Sequence, residues 1–442
     1  MRRQLWMQAR RIIWLPSRFA IAVVIAVCST VLVADSAQAV TVATTTTVTS
    51  SKNPSSCEQS VTFTIIVTEA NTLMRVTDGT ITFTLAPDPP ITSLIGGSGQ
   101  SEFKIYPSDP ALNSSGPHAV TVTYNGTSTF APSSASMTQS VSTSPHDFDG
   151  NCKGDILWYN TSTGQVVNWL VNGASVIGGG SPGSAASPWA IVGQRDFNGD
   201  GFADLFWRNG TTGQTVVWLL NGSTLIGGGS PGSVGSPWSV GGTGDFNGDG
   251  FGDVLWFNSA TGQAVIWLLN GTSVIGGGSP GSASTPWIIA ATGDFNGDGF
   301  TDILWWNSLS GQLVIWLLNG TSVIGGGSPG SAAPPWQPFG TGDFNGDGFA
   351  DILWRNTSTG QAVLWFVNGT SVIGGGSPGS VPSPWAIAET GDFNGDGKSD
   401  ILWVNSTSGQ LVVWLLDGAS VTGGGSPGAA ASPWVLQGMN AD

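Results

Sequence analysis

The chain has 442 residues, of which 13 are Lys or Arg and 28 are Asp or Glu, so its formal net charge is −15 although only 9% of residues are charged. So little basic surface excludes nucleic acid as a partner, because phosphates would find few cations to displace their counterions. The length allows two or three domains, and the two histidines leave little general acid–base machinery near neutral pH.

Residues 1–39 read as an export signal. Arg2, Arg3, Arg10, Arg11 and Arg18 form a basic n-region, residues 19–34 are a mostly apolar run of 16, short for a membrane span, and Ala37-Gln38-Ala39 is an A-x-A cleavage site. The n-region is long, so an uncleaved anchor is the alternative. Cys28 follows Val27, where a lipoprotein signal would carry a small residue. No later stretch could cross a bilayer as a helix, and a secreted or cell-surface protein with no transmembrane segment in its mature chain is expected. Removing the signal takes five Arg and Asp35 and leaves 8 basic and 27 acidic residues.

Residues 40–143 are rich in Thr, Ser and Val. Polar and apolar residues alternate at 60–67, 80–85 and 119–124, with turn residues Asp78-Gly79 and Pro87-Asp88-Pro89-Pro90 around the second run. Short alternating strands over about 100 residues predict a β-sandwich. Residues 44–54, 116–124 and 130–133 resemble the opening, late and closing stretches of bacterial Ig-like repeat domains. That resemblance implies a spacer or adhesive module, and it places His118 in a turn-to-strand entry rather than a site. Cys57 and Cys152 could pair, tying this domain to the region that follows, but spacing alone does not bring their Cα atoms together. With His118 and His146 they form no recognisable zinc spacing.

From residue 144 onward a period of 49 governs the chain, and each unit opens with a nine-residue stretch, at 147, 196, 245, 294, 343 and 392. The fifth reads Asp343-Phe344-Asn345-Gly346-Asp347-Gly348-Phe349-Ala350-Asp351. Oxygen side chains stand at its positions 1, 3, 5 and 9, and Gly at position 6 permits the positive φ of a tight turn. Three carboxylates and an amide converging on one point repel unless a hard cation lies between them, which points to calcium. The four positions are Asp147, Asp149, Asn151 and Asp155 in the first unit, then Asp196, Asn198, Asp200 and Asp204, Asp245, Asn247, Asp249 and Asp253, and Asp294, Asn296, Asp298 and Asp302. The last two units give Asp343, Asn345, Asp347 and Asp351, and Asp392, Asn394, Asp396 and Asp400. These loops hold 18 of the 27 acids, so one Ca²⁺ per loop would bring the mature chain to a net charge of about −7. The first loop alone carries Cys152 at the turn position, a strain of roughly 1 kcal/mol or more, and is expected to bind calcium worst.

In the fifth unit, strands are predicted at 351–356, 361–367 and 370–373, the last after the hairpin signal Asn368-Gly369. A Gly/Ser/Pro loop should then lead to a fourth strand, 385–390, which enters the next calcium loop. Four strands per unit repeated around an axis predict a β-propeller, with a linear solenoid as the alternative. Six loops and six Pro-Trp strands, the first loop lacking a preceding Pro-Trp and the strand at Trp434 lacking a following loop, predict six blades with both chain ends in one sheet. Nineteen of the 21 tryptophans lie in these units, chiefly at the phases of Trp354, Trp365 and Trp385, and are expected to pack between sheets. The position after the first of these phases varies, holding Tyr159, Arg208, Phe257, Trp306, Arg355 and Val404, and reads as a surface contact row.

An EF-hand would put Glu at position 12, where Trp354 stands, and helices rather than strands would follow. Asp-x-Asn-x-Asp-Gly-x-x-Asp running into a strand is instead similar to the FG-GAP/VCBS repeats, whose members include the integrin α-subunit propeller. The resemblance covers residues 147 to about 438. It implies that positions 1, 3, 5 and 9 are side-chain ligands and that position 7 offers its carbonyl, from Lys153, Phe202, Phe251, Phe300, Phe349 and Lys398. It also implies a carbohydrate or cell-surface protein as ligand. The whole reads as an all-β, calcium-binding adhesion or binding protein. The alternatives are a structural protein of the envelope or matrix and, less well supported, a polysaccharide-active enzyme.

Overall fold

The computed structural model describes residues 41–438, apart from 54, 58–59, 107–111, 113–115 and 143–144. The export signal expected at 1–39 lies outside the described residues. Those residues form strands and turns with no helix, and so none long and apolar enough to cross a membrane.

The alternating segments of the N-terminal region become strands of two sheets. Thr44–Ser50, Val61–Glu69 and Gln100–Ile105 make one, and Ser55–Ser56, Ser133–Ser142, Gly116–Tyr124, Thr80–Leu85 and Ile91–Leu94, in that spatial order, make the other. Alternation does what period two requires. Phe63 and Ile65 from one sheet and Ile81, Phe83, Val122 and Tyr124 from the other are at most 1% exposed. Each contributes about 1.5–3 kcal/mol by leaving water. His118 lies buried within its strand, with Nδ1 near the Ala86 carbonyl oxygen, as the turn-to-strand reading anticipated. Cys57 and Cys152 are bonded to one another, their Cα atoms 5.7 Å apart, and Cys152 packs into the core of the N-terminal sheets.

The repeats form six four-stranded sheets. The fifth runs, from its inner to its outer edge, Trp336–Gly342, Asp351–Asn356, Gln361–Asn368 and Ser371–Ser380. The inner strand is thus lent by the preceding unit. In the first sheet that strand is Trp434–Gln437, which pairs with Ile156–Asn160 in the register Trp434 to Asn160 and Gln437 to Leu157. Both described ends of the repeat region share a sheet, as the ends of the array implied.

The Gly/Ser/Pro loop expected after residue 373 is instead strand, continuing to Ser380. Its glycines mark close approach rather than a break in structure. A Cβ on Gly375 would sit 2.2 Å from the Leu364 carbonyl oxygen, and one on Gly379 would meet the Trp414 ring of the next sheet at 3.2 Å.

Neighbouring sheets share apolar clusters. Phe295, Leu304 and Ile315 of the fourth meet Ile352, Trp354 and Val367 of the fifth, and Phe393, Leu402 and Val413 of the sixth meet Ile156, Trp158 and Val171 of the first. Trp354 is 1% exposed, packs on Trp365 of its own sheet at 5.0 Å between centroids and belongs to the cluster shared with the fourth sheet, which places it where an inter-sheet role requires. The variable position is not a surface row. Tyr159, Arg208 and Arg355 lie in the grooves between sheets and donate to carbonyls of the chain entering the next sheet: Tyr159 Oη to Ala185 at 2.9 Å, Arg208 Nη2 to Val234 at 2.8 Å and Arg355 Nη2 to Val381 at 3.1 Å. What varies there is the groove filler.

The inner strands carry a contact that residue types alone did not suggest. Thr292 Oγ1 donates to the Thr243 carbonyl, Thr341 Oγ1 to that of Thr292 and Thr390 Oγ1 to that of Thr341, at 2.6–2.8 Å, each across two sheets. At the same phase in the second sheet stands Gln194, whose longer side chain reaches the Gln437 carbonyl of the short strand Trp434–Gln437 at 3.0 Å.

Candidate calcium loops

The second to sixth nine-residue loops each connect an inner strand to the strand beside it, and the first leads into Ile156–Asn160, whose inner neighbour is Trp434–Gln437. In the fifth, the Asp343 carboxylate accepts N–H bonds from Gly346, Asp347 and Gly348 at 2.6–3.1 Å, folding the loop around itself. Gly346 and Gly348 take φ of 77° and 85°, the left-handed conformation for which glycine is suited. Asp351 is fully buried and accepts from Phe344 N and Val367 N, so it also fastens the loop to the third strand of its sheet. Position 9 is fully buried in all six loops.

The loops also bond to one another. Ser399 N donates to the Asp343 carbonyl of the preceding loop at 2.7 Å, and Gly418 N to that of Phe344 at 3.0 Å. The same pair of bonds joins the first unit to the sixth, Gly154 N to Asp392 O at 2.7 Å and Gly173 N to Phe393 O at 2.6 Å. The phenylalanine at position 2 and the N–H at position 8 are therefore parts of the joint that attention to side-chain oxygens missed. The recurrence of Phe148, Phe197, Phe246, Phe295, Phe344 and Phe393 was the available signal.

Gathering carboxylates in a desolvated loop disfavours their charged form. Burial, with the nearby Asp343 charge, pushes the Asp351 carboxyl up to about 8, and burial pushes that of Asp343 up to about 6. Burial, reinforced by the Asp149 charge, takes Asp155 to about 9. An all-oxygen donor set whose carboxylates resist ionisation for want of a counter-charge fits a hard cation.

The fit is plainest in the first loop, where carboxylate oxygens of Asp147, Asp149 and Asp155 all lie within 4.8 Å of one another. Oxygens on opposite sides of a Ca²⁺ stand roughly that far apart, given Ca–O distances of about 2.3–2.6 Å. Asp149 Oδ1 is buried there without a hydrogen-bond partner. Cys152 has φ of 64°, so the strain anticipated at the turn position is present. In the other five loops position 3 is Asn, and its amide donates to the Asp at position 5, as in Asn345 Nδ2 to Asp347 Oδ2 at 2.9 Å. The structure thus brings positions 1 and 9 into the interior of each loop. Positions 3 and 5 pair with each other in five loops, and the backbone at position 7, Phe349 in the fifth, donates to the position-5 carboxylate.

Comparison with known families gives one match. A model described as FG-GAP-like repeat fits residues 196–256, 245–305, 294–354 and 343–403. The chain carries four tandem FG-GAP-like repeats. The overlapping segments together span residues 196–403, from the second loop to the sixth, and begin after the first loop, the one in which Cys152 departs from the pattern. No curated protein matches the chain in sequence. Among solved structures, a quinonprotein alcohol dehydrogenase-like protein of Bacteroides thetaiotaomicron is similar at 10% identity and TM-score 0.36, covering 88% of this chain and 96% of that one. An auxiliary nutrient binding protein of the same organism is similar at 7% identity and TM-score 0.38, covering 89% and 88%. Scores this low bear on neither chemistry nor ligand.

Proposed function

We propose that the chain is a secreted or cell-surface protein in which an Ig-like module carries a six-bladed, calcium-binding β-propeller, acting without catalysis in binding or adhesion toward a carbohydrate or a cell-surface protein. The observation that carries the calcium assignment is the recurrence, six times, of a fully buried Asp at position 9 beside a second carboxylate at position 1. Bound calcium would supply the missing counter-charge, and Asp351, Asp343 and their counterparts would hold it. Because the loops bond to one another, neutralising them stabilises the contacts between sheets, and stability becomes linked to calcium concentration. Weak sites, with Kd on the order of 10⁻⁴–10⁻³ M, suit an extracellular setting. Six blades are supported by the six sheets and by the seat of Trp434–Gln437 on the first of them.

A second reading, a structural protein of the envelope or matrix, is favoured by one feature. Ile177, Ile226, Ile275, Ile324 and Ile373 are each 55–59% exposed at the same position of the outer strands, a repeated apolar row that would suit self-association. A glycan array probed with and without EDTA separates the readings. Calcium-dependent binding is expected, whereas no binding combined with self-assembly in light scattering would favour the structural role.

A further inference from the structure

The groove fillers identify a place where one is missing. In the groove between the fifth and sixth sheets, Arg355 donates to the carbonyls of Val381 and Trp385, with its Cζ 5.3 Å from the centre of the Trp403 ring. Between the second and third, Arg208 donates to Val234 with its Cζ 5.9 Å from the Trp256 ring centre. Between the first and second, Tyr159 donates to Ala185 and packs edge-on against Trp207. In the groove between the sixth and first sheets the same position is Val404, which has no donor and too little volume. A cavity of about 540 Å³ opens there, lined by Val404, Ala430, Trp434 and Trp158 among others. Ala430 and Trp434 stand 49 residues beyond Val381 and Trp385, and Trp158 is the indole that the first sheet presents where the sixth presents Trp403. The cavity therefore keeps the acceptors and the ring of the arginine-filled groove without the arginine.

We propose that this groove binds a guanidinium group presented by a ligand, the arginine side chain of a cationic partner, in the place that Arg355 fills in its own groove. A guanidinium is planar, weakly hydrated and rich in donors, so it can satisfy backbone carbonyls while stacking on an indole. The net charge of about −7 that the calcium-loaded mature chain would carry favours a basic partner on approach. The inference rests on the binding reading above and assigns it a site and a ligand class.

The test uses the calcium-loaded chain and N-acetyl-L-arginine amide in a calorimetric titration. One saturable site is expected, with Kd on the order of 1 mM for a ligand of this size. N-acetyl-L-citrulline amide, of similar shape but neutral, should bind at least tenfold more weakly. Val404→Arg, which copies Arg355, should abolish binding and raise the melting temperature, and Val404→Phe, which copies Phe257, should also abolish binding. Arg355→Val should open a second site and raise the stoichiometry toward two; the two Val404 variants test the groove without it. Removing residues 439–442 should leave affinity unchanged. Lack of saturable binding by the unaltered chain, or binding that survives Val404→Arg, would overturn the proposal. So would equal binding of the citrulline amide, displacement of the arginine amide by a methyl glycoside, or a tenfold gain on truncation, which would assign the cavity to a sugar or to the chain's own tail. Glycan binding that persists in Val404→Arg would leave the general binding reading standing while removing this site from it.

Discussion

The first and fifth loops perform the same task with different chemistry. Both fold around an Asp at position 1 and fasten themselves through a buried Asp at position 9, which accepts one N–H from position 2 and another from the third strand of its sheet. At position 6 they diverge. Gly348 adopts positive φ freely, while Cys152 holds φ of 64° and is bonded to Cys57 of the N-terminal sheets. They also differ at position 3, where Asn345 pairs with Asp347 but Asp149 turns a carboxylate toward Asp147 and Asp155. The turn thus requires a positive φ rather than a glycine, and a crosslink can hold a residue there that would otherwise resist. If the loops hold calcium as proposed, these differences predict the opposite of the ranking expected from residue types. The strain at Cys152 weakens the first loop only where nothing holds it, and the third inward carboxylate strengthens it, so this loop should bind calcium at least as tightly as the fifth.

The largest test withholds the proposed calcium from both loops. In EDTA the melting temperature should fall by well over 10 °C, measured by calorimetry. Its pH dependence should follow the raised carboxyl values. A carboxyl pushed from about 4 in the unfolded chain to about 8 in the fold stabilises it below pH 4, and this is lost as pH rises toward 8. Calcium-free protein should therefore weaken between pH 4 and 8, and saturating calcium should flatten that slope; an EDTA profile rising with pH would contradict the burial argument. Next in size is Asp351→Ala beside Asp155→Ala. Each strands two buried N–H groups and should cost about 2–5 kcal/mol by denaturant unfolding. Cys57→Ser should cost about 2–4 kcal/mol and lower calcium affinity at the first loop alone, separating the crosslink from the carboxylates. The smallest effect is expected from Asp149→Asn, which gives the first loop the position-3 residue of the others and should reduce its affinity by less than tenfold in calorimetric titration. If Asp343→Ala loses more binding heat than Asp147→Ala, the ranking returns to the one that residue types suggested.

Much of this molecule was legible because its units are copies. Oxygen side chains at fixed positions, the hairpin at Asn368-Gly369 and the odd ends of the array needed only local chemistry and counting. Residues whose role depends on a neighbouring sheet were misread or left open. Gly375 and Gly379 read as loop because closeness to another strand leaves no local mark. Arg208 and Arg355 read as surface because their position varies from unit to unit, whereas carbonyls and indoles receive them. The Thr243, Thr292, Thr341 and Thr390 series was visible as a period but not as hydrogen bonds. The Cys57–Cys152 pairing could not be decided without a distance.

That crosslink has a mechanical consequence. A pull on the N-terminal sheets reaches the repeats by two covalent routes, the peptide chain through 143–144 and the sulfur bridge into the loop at Asp147. The second delivers load to the loop that Asp155 fastens to its sheet, the one sheet whose inner strand is drawn from the far end of the chain. For a protein tethered by one end and gripped by the other, resistance to tearing would be set at that single sheet.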